Sequence, residues 1–477
     1  MRKIILLLTT LVAVSCTESN IEFEEGGGST GSSSSSSSTS VTDDATANTK
    51  MDSYLKSYYL YNEEYKTLSP NFDLLYSDFV DNTLMSMSTN VLDYKNGSLY
   101  SYVERTAKSK ADSRSSVSKE LTMSYGLASL VLISFADSDN IYIGIQAVYP
   151  DSPADDAGLV RGYVISEVNG VAVTTSNCYG YAQLLLSPTS SATLSLKILN
   201  GRASFTQDVT SRQIYPNPVL KCEMLTPTIG YLNYLSFDSA YDTELEAALT
   251  SLQSAGATDL ILDLRLNGGG YVTSARKLAS SIAGANGVGQ IFQKYRYNDD
   301  ITALDSSLYT TQENFIQSVP QLSLTKLYCL VSGLTASASE IIINSLRGID
   351  FPVTLIGSQT EGKNVGMFEL TFSTDDWDYT FLPISFQNFN AKDASDYADG
   401  FMVNYSVDDW NNGDSFADFT SSEVMIAKAL SLISGSRSEV DTTSSTNDLF
   451  SSTPAKSIQR LGSPSSKSGS IILNPTN

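Results

Sequence analysis

The chain has 477 residues, of which 41% are hydrophobic, and it carries a formal net charge of −22. This length allows two or three domains with a sizeable buried core, and the strong negative charge excludes a nucleic-acid partner, because phosphates would be repelled. The sequence contains no histidine, which excludes a Ser-His-Asp triad and any metal site built on imidazole.

The first residues have the pattern of an export signal. Arg2 and Lys3 precede an apolar run over residues 4–14 that is too short to span a bilayer. The run ends in Ala-Val-Ser-Cys, which resembles a bacterial lipoprotein box, so we predict a signal peptide over residues 1–15 and a lipid anchor on Cys16. An ordinary signal peptide with an incidental cysteine is the alternative. The predicted location is the cell envelope of a Gram-negative bacterium, periplasmic or at the outer-membrane surface.

The composition changes twice after this signal. Residues 16–44 are rich in Gly, Ser and Thr, which predicts a flexible tether that holds the folded part away from the membrane. In residues 45–115, tyrosine, leucine and phenylalanine recur at mixed three- and four-residue spacing, and this periodicity predicts a small helical N-terminal module.

Short strands and turns are predicted over residues 116–209. The stretch contains the motif SPADDAGL and, after it, the strand-like VISEV closed by an Asn-Gly turn. This order resembles a PDZ domain, although Tyr163 stands where that family usually has Asp. The resemblance implies a β-rich domain that adds a peptide C-terminus as a strand to its sheet edge, with the carboxylate bound near Tyr125, Gly126 and Leu127.

Strands and helices alternate over residues 210–435, which predicts an α/β core with a partly parallel sheet and makes the whole chain an α/β multidomain protein. The predicted strands cover residues 229–235, 259–264, 327–331, 353–356 and 366–372, and the predicted helices cover residues 242–255, 272–283, 337–347 and 421–433. Catalytic groups in such folds collect at the carboxyl ends of the strands. Residues 436–477 are rich in Ser, Thr and Pro and are expected to form a poorly ordered, low-complexity tail.

Three motifs in the core each follow a predicted strand. The first, DLRLNGGG, ends in consecutive glycines that include Gly269 and Gly270. Glycines adopt backbone conformations closed to other residues and let N–H groups approach a ligand oxygen. The motif therefore indicates an oxyanion hole, with a phosphate cradle or a plain flexible turn as alternatives.

The second motif, TASASE, places Ser337 at a predicted helix start. Ser337 and Glu340 have the spacing of a capping box, so a purely structural cap is the simplest interpretation. The same position surrounds a serine with free N–H donors at the positive end of a helix. Ser337 is therefore a candidate nucleophile, the Ala338 N–H is a candidate oxyanion donor, and Glu340 either supports the base or only caps the helix.

The third motif is Glu-Gly-Lys, ending at Lys363. In a chain without histidine, a neutral lysine is the remaining common base for a serine. Lowering the lysine pKa from about 10.4 to roughly 7–8 costs about 3–4 kcal/mol, and burial can supply such a shift. The catalytic interpretation predicts a desolvated Lys363, whereas an ordinary surface lysine is the alternative.

Together, in this order, the three motifs resemble the C-terminal processing (tail-specific) serine peptidases over residues 116–435. The resemblance implies a ClpP/crotonase-like α/β core preceded by a PDZ domain, with Ser337 as nucleophile and Lys363 as base. It further implies that the N–H groups of Gly270, beside Gly269, and of Ala338 bind the oxyanion. No metal and no organic cofactor is implied.

Two features depart from that family. Met367 occupies the position where many members have a Gln that hydrogen-bonds the lysine, and the interval from serine to lysine is one residue longer. The orientation of Lys363 must then come from elsewhere, such as Glu340 or a backbone carbonyl.

The sequence therefore predicts an exported serine endopeptidase that hydrolyses peptide bonds through an acyl-enzyme. Its predicted partners are protein or peptide substrates, bound through their C-termini, and a membrane reached through the lipid. Two alternatives remain open at this point. One is a catalytically degenerate lipoprotein that binds peptides through its PDZ-like domain, an interpretation favoured by Met367. The other is an accessory lipoprotein for transport or surface assembly, whose helical module is the interface.

Overall fold

The fold was analysed in a computed structural model that describes residues 37–108, 119–135, 141–201, 203–304, 309–409, 416–435, 455–461 and 471–473. The predicted signal peptide, Cys16 and most of the predicted tether lie outside these ranges. Within them, no helix combines the length and the apolar character needed to cross a membrane.

The N-terminal module consists of three helices followed by three short strands. These elements are α1 (Ser37–Tyr58), α2 (Asn62–Tyr65), α3 (Tyr76–Met85), β1 (Tyr94–Lys95), β2 (Ser98–Leu99) and β3 (Tyr102–Ala107). The buried faces of the helices, with Met51, Leu55 and Phe79, share one hydrophobic core with the α/β part of the chain. The module is therefore packed against the core, and its last part is strand, where only helix was predicted.

The PDZ-like domain is a sheet with two helices. Its elements are β4 (Thr122–Ser124), β5 (Leu127–Phe135), β6 (Ile141–Val148), α4 (Pro153–Asp156), β7 (Val164–Val168), β8 (Val171–Ala172), α5 (Cys178–Leu186), β9 (Thr193–Asn200), β10 (Ala203–Thr210) and β11 (Arg212–Ile214). The strand order β10-β9-β7-β6-β5 is antiparallel throughout, and β8 pairs with β7. The helix α5 packs against β5 and β6.

The core contains most of the remaining elements. They are β12 (Val219–Met224), β13 (Ile229–Tyr234), α6 (Asp242–Ser254), β14 (Asp259–Asp263), β15 (Gly270–Tyr271), α7 (Val272–Ala283), β16 (Ile291–Arg296), α8 (Asp299–Thr302), β17 (Gln312–Asn314), β18 (Leu327–Val331), α9 (Ala338–Gly348), β19 (Val353–Gly357), β20 (Val365–Phe368), β21 (Leu370–Ser373), β22 (Trp377–Leu382), β23 (Ile384–Phe389), β24 (Tyr405–Ser406) and α10 (Val424–Ile433).

The main sheet of the core has the order β12-β13-β14-β18-β19-β24 and is parallel from β13 onward. The strands β14 and β18 are almost continuously apolar and buried, as parallel strands covered on both faces must be. The loops after β14, β18 and β19 therefore leave the sheet at the same edge, and each carries one of the three motifs. The predicted α/β multidomain fold is confirmed.

Two corrections concern the second half of the chain. The single strand predicted over residues 366–372 is divided into β20 and β21, which pair with different partners. The tail, expected to be poorly ordered, contributes the strands β25 (Ala455–Leu461) and β26 (Ile471–Leu473). The strand β25 joins the PDZ-like sheet, and β26 lies between β15 and β20 in a second sheet of the core.

Candidate active site

Ser337 lies at the junction between the loop after β18 and the helix α9. It is fully buried, and its backbone has φ 62° and ψ −118°, a conformation that side-chain-bearing residues rarely adopt. Its Oγ atom has no hydrogen-bond partner in the described part of the chain. The predicted capping box is present, with Glu340 accepting the Ser337 N–H, and the hydroxyl lies at the start of α9, where N–H groups lack intrahelical acceptors.

The glycine motif lies directly against this serine. A Cβ atom on Gly269 would be 2.7 Å from the Ser337 Cβ and 3.1 Å from the Ala338 nitrogen, so only glycine fits at position 269. The Gly269 N–H donates to the Asn267 Oδ1 atom at 2.8 Å. Among the predicted oxyanion donors, the N–H groups of Gly270 and Ala338 are therefore the better candidates, because that of Gly269 already has an acceptor.

Glu340 joins the serine loop to the lysine loop. Its Oε2 atom accepts the backbone N–H groups of Ser337 at 3.0 Å and of Lys363 at 2.8 Å. Its Oε1 atom accepts the Thr360 hydroxyl at 2.6 Å and the Gly362 N–H at 2.8 Å. Burial raises the pKa of Glu340 to about 7, and these four donors act in the opposite direction.

Lys363 is 2% exposed. Burial lowers the pKa of its ammonium group to about 7, whereas the nearby carboxylates of Asp93, Glu361 and Glu340 favour the charged form and oppose this shift. The Nζ atom lies 4.6 Å from the centre of the Tyr100 ring. A lysine with a pKa near 7 is neutral in a large fraction of molecules at neutral pH, as a base must be.

Two groups near this lysine come from the N-terminal module and were not predicted. The Tyr100 hydroxyl donates to the Glu361 Oε1 atom at 2.7 Å, so the ring is fixed over the lysine. Asp93 is buried and accepts hydrogen bonds from the Tyr59 hydroxyl and the Ser101 backbone. No local pattern marks these residues, because they reach the site across more than 250 residues of sequence.

The predicted helpers of the lysine have different positions. Glu340 binds the lysine backbone, as described above. Met367 lies in β20, is fully buried and packs in the main hydrophobic core. The position where many members of the family have Gln is therefore filled here by a core side chain.

A buried ionic cluster lies beneath the glycine motif. Arg265, 1% exposed, pairs with Asp263 at 2.9 Å and Glu423 at 2.8 Å. Arg161 of the PDZ-like domain pairs with Asp409 at 2.7 Å, and the same carboxylate lies 3.5 Å from Arg265. Asp409 therefore connects the PDZ-like domain to the loop that carries Gly269 and Gly270.

The predicted peptide-binding loop is remote from these residues in sequence and precedes β5. Tyr125 is buried, Gly126 has φ +91°, and its N–H donates to the Ser124 hydroxyl at 2.8 Å. A carboxylate could use the Gly126 N–H only after this bond breaks. The role of Tyr125, Gly126 and Leu127 stays a prediction. Within the described ranges, no cluster of three or more Cys, Asp or Glu side chains is arranged to hold a metal ion.

Comparisons with known proteins agree with this architecture. Residues 228–398 match the model of peptidase family S41, and residues 144–197 match a PDZ domain model. The chain is 26% identical over 238 residues to carboxyl-terminal-processing peptidase 1, chloroplastic, of Arabidopsis thaliana, covering 47% of this chain and 45% of that protein. It is 29% identical over 234 residues to the carboxyl-terminal-processing protease of a Synechocystis strain, covering 48% and 51%. The chain thus matches about half the length of these relatives.

A solved structure extends the likeness to most of the chain. A Bacteroides fragilis protein assigned to the S41 proteases aligns with a TM-score of 0.63 and 25% identity, covering 81% of this chain and 97% of that one. The fold is thus similar to that of an S41 protease over most of the chain. The predicted resemblance to the S41 peptidases, over residues 228–398, and to a PDZ domain, over residues 144–197, is confirmed.

Proposed function

We propose that this protein is a serine endopeptidase of the C-terminal processing type that acts through Ser337 and Lys363. The observation that carries the proposal is the position of Glu340. One of its carboxylate oxygens, Oε2, accepts the backbone N–H groups of both Ser337 and Lys363. The burial of Lys363 supports its role as base, and the contact between Gly269 and Ser337 supports an oxyanion hole beside the nucleophile.

In the proposed reaction, the neutral Lys363 amine takes the proton from the Ser337 Oγ atom as that oxygen attacks the substrate carbonyl carbon. The negative charge on the carbonyl oxygen is stabilised by the N–H groups of Gly270 and Ala338. The lysine ammonium then gives its proton to the leaving amine, which leaves an acyl-enzyme. Water, deprotonated by the same amine, releases the acid product and restores the hydroxyl. Among the described residues the Ser337 hydroxyl has no partner, so the proposed reaction requires its bond to the amine to form when substrate binds.

The test is hydrolysis of an unfolded protein such as casein by the purified chain. Ser337→Ala and Lys363→Ala are expected to abolish cleavage. Lys392→Ala is the matched control, because Lys392 is an exposed lysine paired with Asp350 on the surface, and it should leave the rate unchanged. Cleavage that survives in either active-site variant would refute the dyad.

A second candidate function is peptide binding without turnover. Met367 favours it, because this position lacks the amide seen in many relatives. In that case all variants would bind a peptide, and the unmodified chain would not cleave it.

We further propose that the protein is exported and anchored in a Gram-negative envelope by lipid on Cys16. The support is the apolar run that ends in Ala-Val-Ser-Cys. Labelling cells with an alkyne fatty acid should mark the protein, and Cys16→Ala should lose both the label and the partition into detergent.

A further inference from the structure

A tight hairpin of the N-terminal module lies against the loop that carries Lys363. Its strands β1 and β2 are two residues long each and pair antiparallel. The two residues between them, Asn96 and Gly97, have φ 53° and 89°, and a type I′ turn requires positive φ at both positions. Residues 93–101, which comprise this hairpin and its flanks, are termed the clasp.

Asp93 holds the two ends of the clasp together. Its side chain is fully buried. The Oδ1 atom accepts the backbone N–H groups of Tyr100 at 3.0 Å and of Ser101 at 2.8 Å. The Oδ2 atom accepts the hydroxyl groups of Tyr59 and Ser101, each at 2.7 Å. Because Tyr59 follows directly after α1, the carboxyl group also connects the clasp to the helices of the module.

The clasp holds the lysine loop by its backbone. The Lys95 ammonium group donates to the carbonyl oxygen of Glu361 and, at 2.7 Å, to that of Ala398. The Ala398 carbonyl oxygen lies against Gly362, where an added Cβ atom would be 2.4 Å from it. One ammonium group therefore joins the residue two positions before Lys363 to the segment against which the lysine loop packs.

The clasp also reaches the lysine side chain. The centre of the Tyr100 ring lies 4.6 Å from the Lys363 Nζ atom, and the Tyr100 hydroxyl donates to the Glu361 Oε1 atom at 2.7 Å. A lysine side chain carries about 2 kcal/mol of rotamer entropy, so a fixed ring beside the amine removes orientations that the reaction does not use. The face of the ring also attracts the ammonium group that forms on proton transfer.

We propose that the clasp orients Lys363 for proton transfer from Ser337. Its positioning residues are Asp93, Lys95 and Tyr100. This inference rests on the proposed function, because it assigns these residues to the same reaction. It accounts for Met367, since the amide that orients the lysine in many relatives is absent and the N-terminal module supplies the constraint. The module is then part of the active site, although the matches to the two family models begin after it.

The kinetic test changes Lys95, which is only half-buried, so its variants are expected to fold. Lys95→Met removes the donors but keeps an unbranched side chain, and it should lower kcat for a fluorogenic peptide about 10–100-fold while KM changes less than about twofold. Lys95→Arg keeps donors at this position and should recover most of the lost kcat.

The matched control is Lys50→Met, because Lys50 is an exposed lysine of the same module that lies over the Tyr54 ring. Both kinetic constants should stay unchanged in this variant. A kcat for Lys95→Met equal to that of the control, or a loss that is found mainly in KM, would overturn the proposal.

Substitutions of Asp93 test the clasp from its closed end. Asp93→Ala leaves the buried N–H groups of Tyr100 and Ser101 without an acceptor, so it should lower kcat in the same way as Lys95→Met. Asp93→Asn keeps an oxygen for these two donors and should retain more of the activity. An Asp93→Ala variant that keeps the parent kcat would contradict a positioning role.

The test that needs no catalysis is hydrogen exchange on the full chain carrying Ser337→Ala. Adding Lys95→Met should make the amides of Gly362 and Lys363 exchange about tenfold faster or more, because the loop is no longer held by the module. Amides of β14, in the centre of the main sheet, are the reference and should exchange as before. Equal exchange of the loop amides with and without Lys95→Met would overturn the proposal. If the parent chain and all variants fail to hydrolyse peptides, the proposed peptidase function is refuted, and exchange still decides whether the clasp holds the lysine loop.

Discussion

Glu340 and Lys363 are connected through the backbone, since the Oε2 atom of Glu340 accepts the Lys363 N–H at 2.8 Å. The same oxygen accepts the Ser337 N–H, so one side chain fixes the start of α9 relative to the lysine loop. Glu340 is fully buried, and all four of its partners are donors. The carboxylate therefore acts as a positioning group for two loops rather than as a proton acceptor from the serine.

Glu340→Gln is expected to lower activity and stability together. Each Glu340 oxygen accepts two donors, so the amide nitrogen of Gln would face two of them in place of an acceptor. Each buried donor left without an acceptor costs about 1–3 kcal/mol, and a small displacement of the loops could reduce kcat about 100-fold. Glu63→Gln is the control, because Glu63 is an exposed glutamate that pairs with Lys66 on the surface. Equal effects of both substitutions on kcat and on urea unfolding would contradict this role.

The pH dependence of hydrolysis should report Lys363. The neutral amine is the active form, so kcat/KM should rise as pH increases through the lysine pKa of about 7 and level off above it. Tyr100→Leu removes the ring that favours the charged form and should lower this apparent pKa by roughly 0.5–1 unit. Tyr100→Phe keeps the ring and should shift it less. A profile that falls between pH 6 and 8, or a higher apparent pKa in Tyr100→Leu, would count against a neutral lysine as base.

The sequence was most informative for elements whose apolar pattern is clear and whose ends are sharply marked. β18 (Leu327–Val331) and α7 (Val272–Ala283) have the predicted bounds, because each is bounded by polar or glycine-containing segments. The positions of Ser337 and Gly269 at one sheet edge also followed from the alternation of strands and helices. What could not be predicted depends on contacts distant in sequence. Tyr100 approaches Lys363 through contacts distant in sequence, such as its hydrogen bond to Glu361 and the pairing of β3 with β22.

The tail shows a second limit of sequence reasoning. Residues 455–461 and 471–473 have neither strict apolar alternation nor a typical strand composition, and serine-rich sequences such as the surrounding tail usually stay unfolded. Their pairing depends on strand edges supplied by β5, β15 and β20, which no local pattern within the tail reveals.

The backbone of Ser337 stores conformational strain. At φ 62° and ψ −118° a residue with a side chain costs of order 1–3 kcal/mol. Ser337→Gly should therefore unfold at higher urea concentration than Ser337→Ala, with a difference of about 1 kcal/mol after the extra chain entropy of glycine. The matched pair at Ser345, inside α9, should show the opposite order, because glycine destabilises a helix interior by about 1 kcal/mol. The same order at both positions would show that residue 337 is not strained.

The shared carboxylate of Asp409 predicts energetic coupling between the PDZ-like domain and the active-site loop. Arg161→Met removes the 2.7 Å ion pair with Asp409, while Arg265 stays at 3.5 Å from the same carboxylate, and should cost about 3–5 kcal/mol because a buried ion pair is broken. In an Asp409→Asn background that charge is absent, so the same substitution should cost less, with a coupling energy of about 1–3 kcal/mol. Urea unfolding of the two single variants and the double variant gives this energy directly.

Lys197→Met serves as the control, because Lys197 and Glu167 form a pair within the PDZ-like domain that is substantially exposed and should contribute little. Additive costs for Arg161 and Asp409 would mean that the arginine is held by packing against its aromatic neighbours, Phe416 and Phe419, and that the ion pair does not connect the two domains.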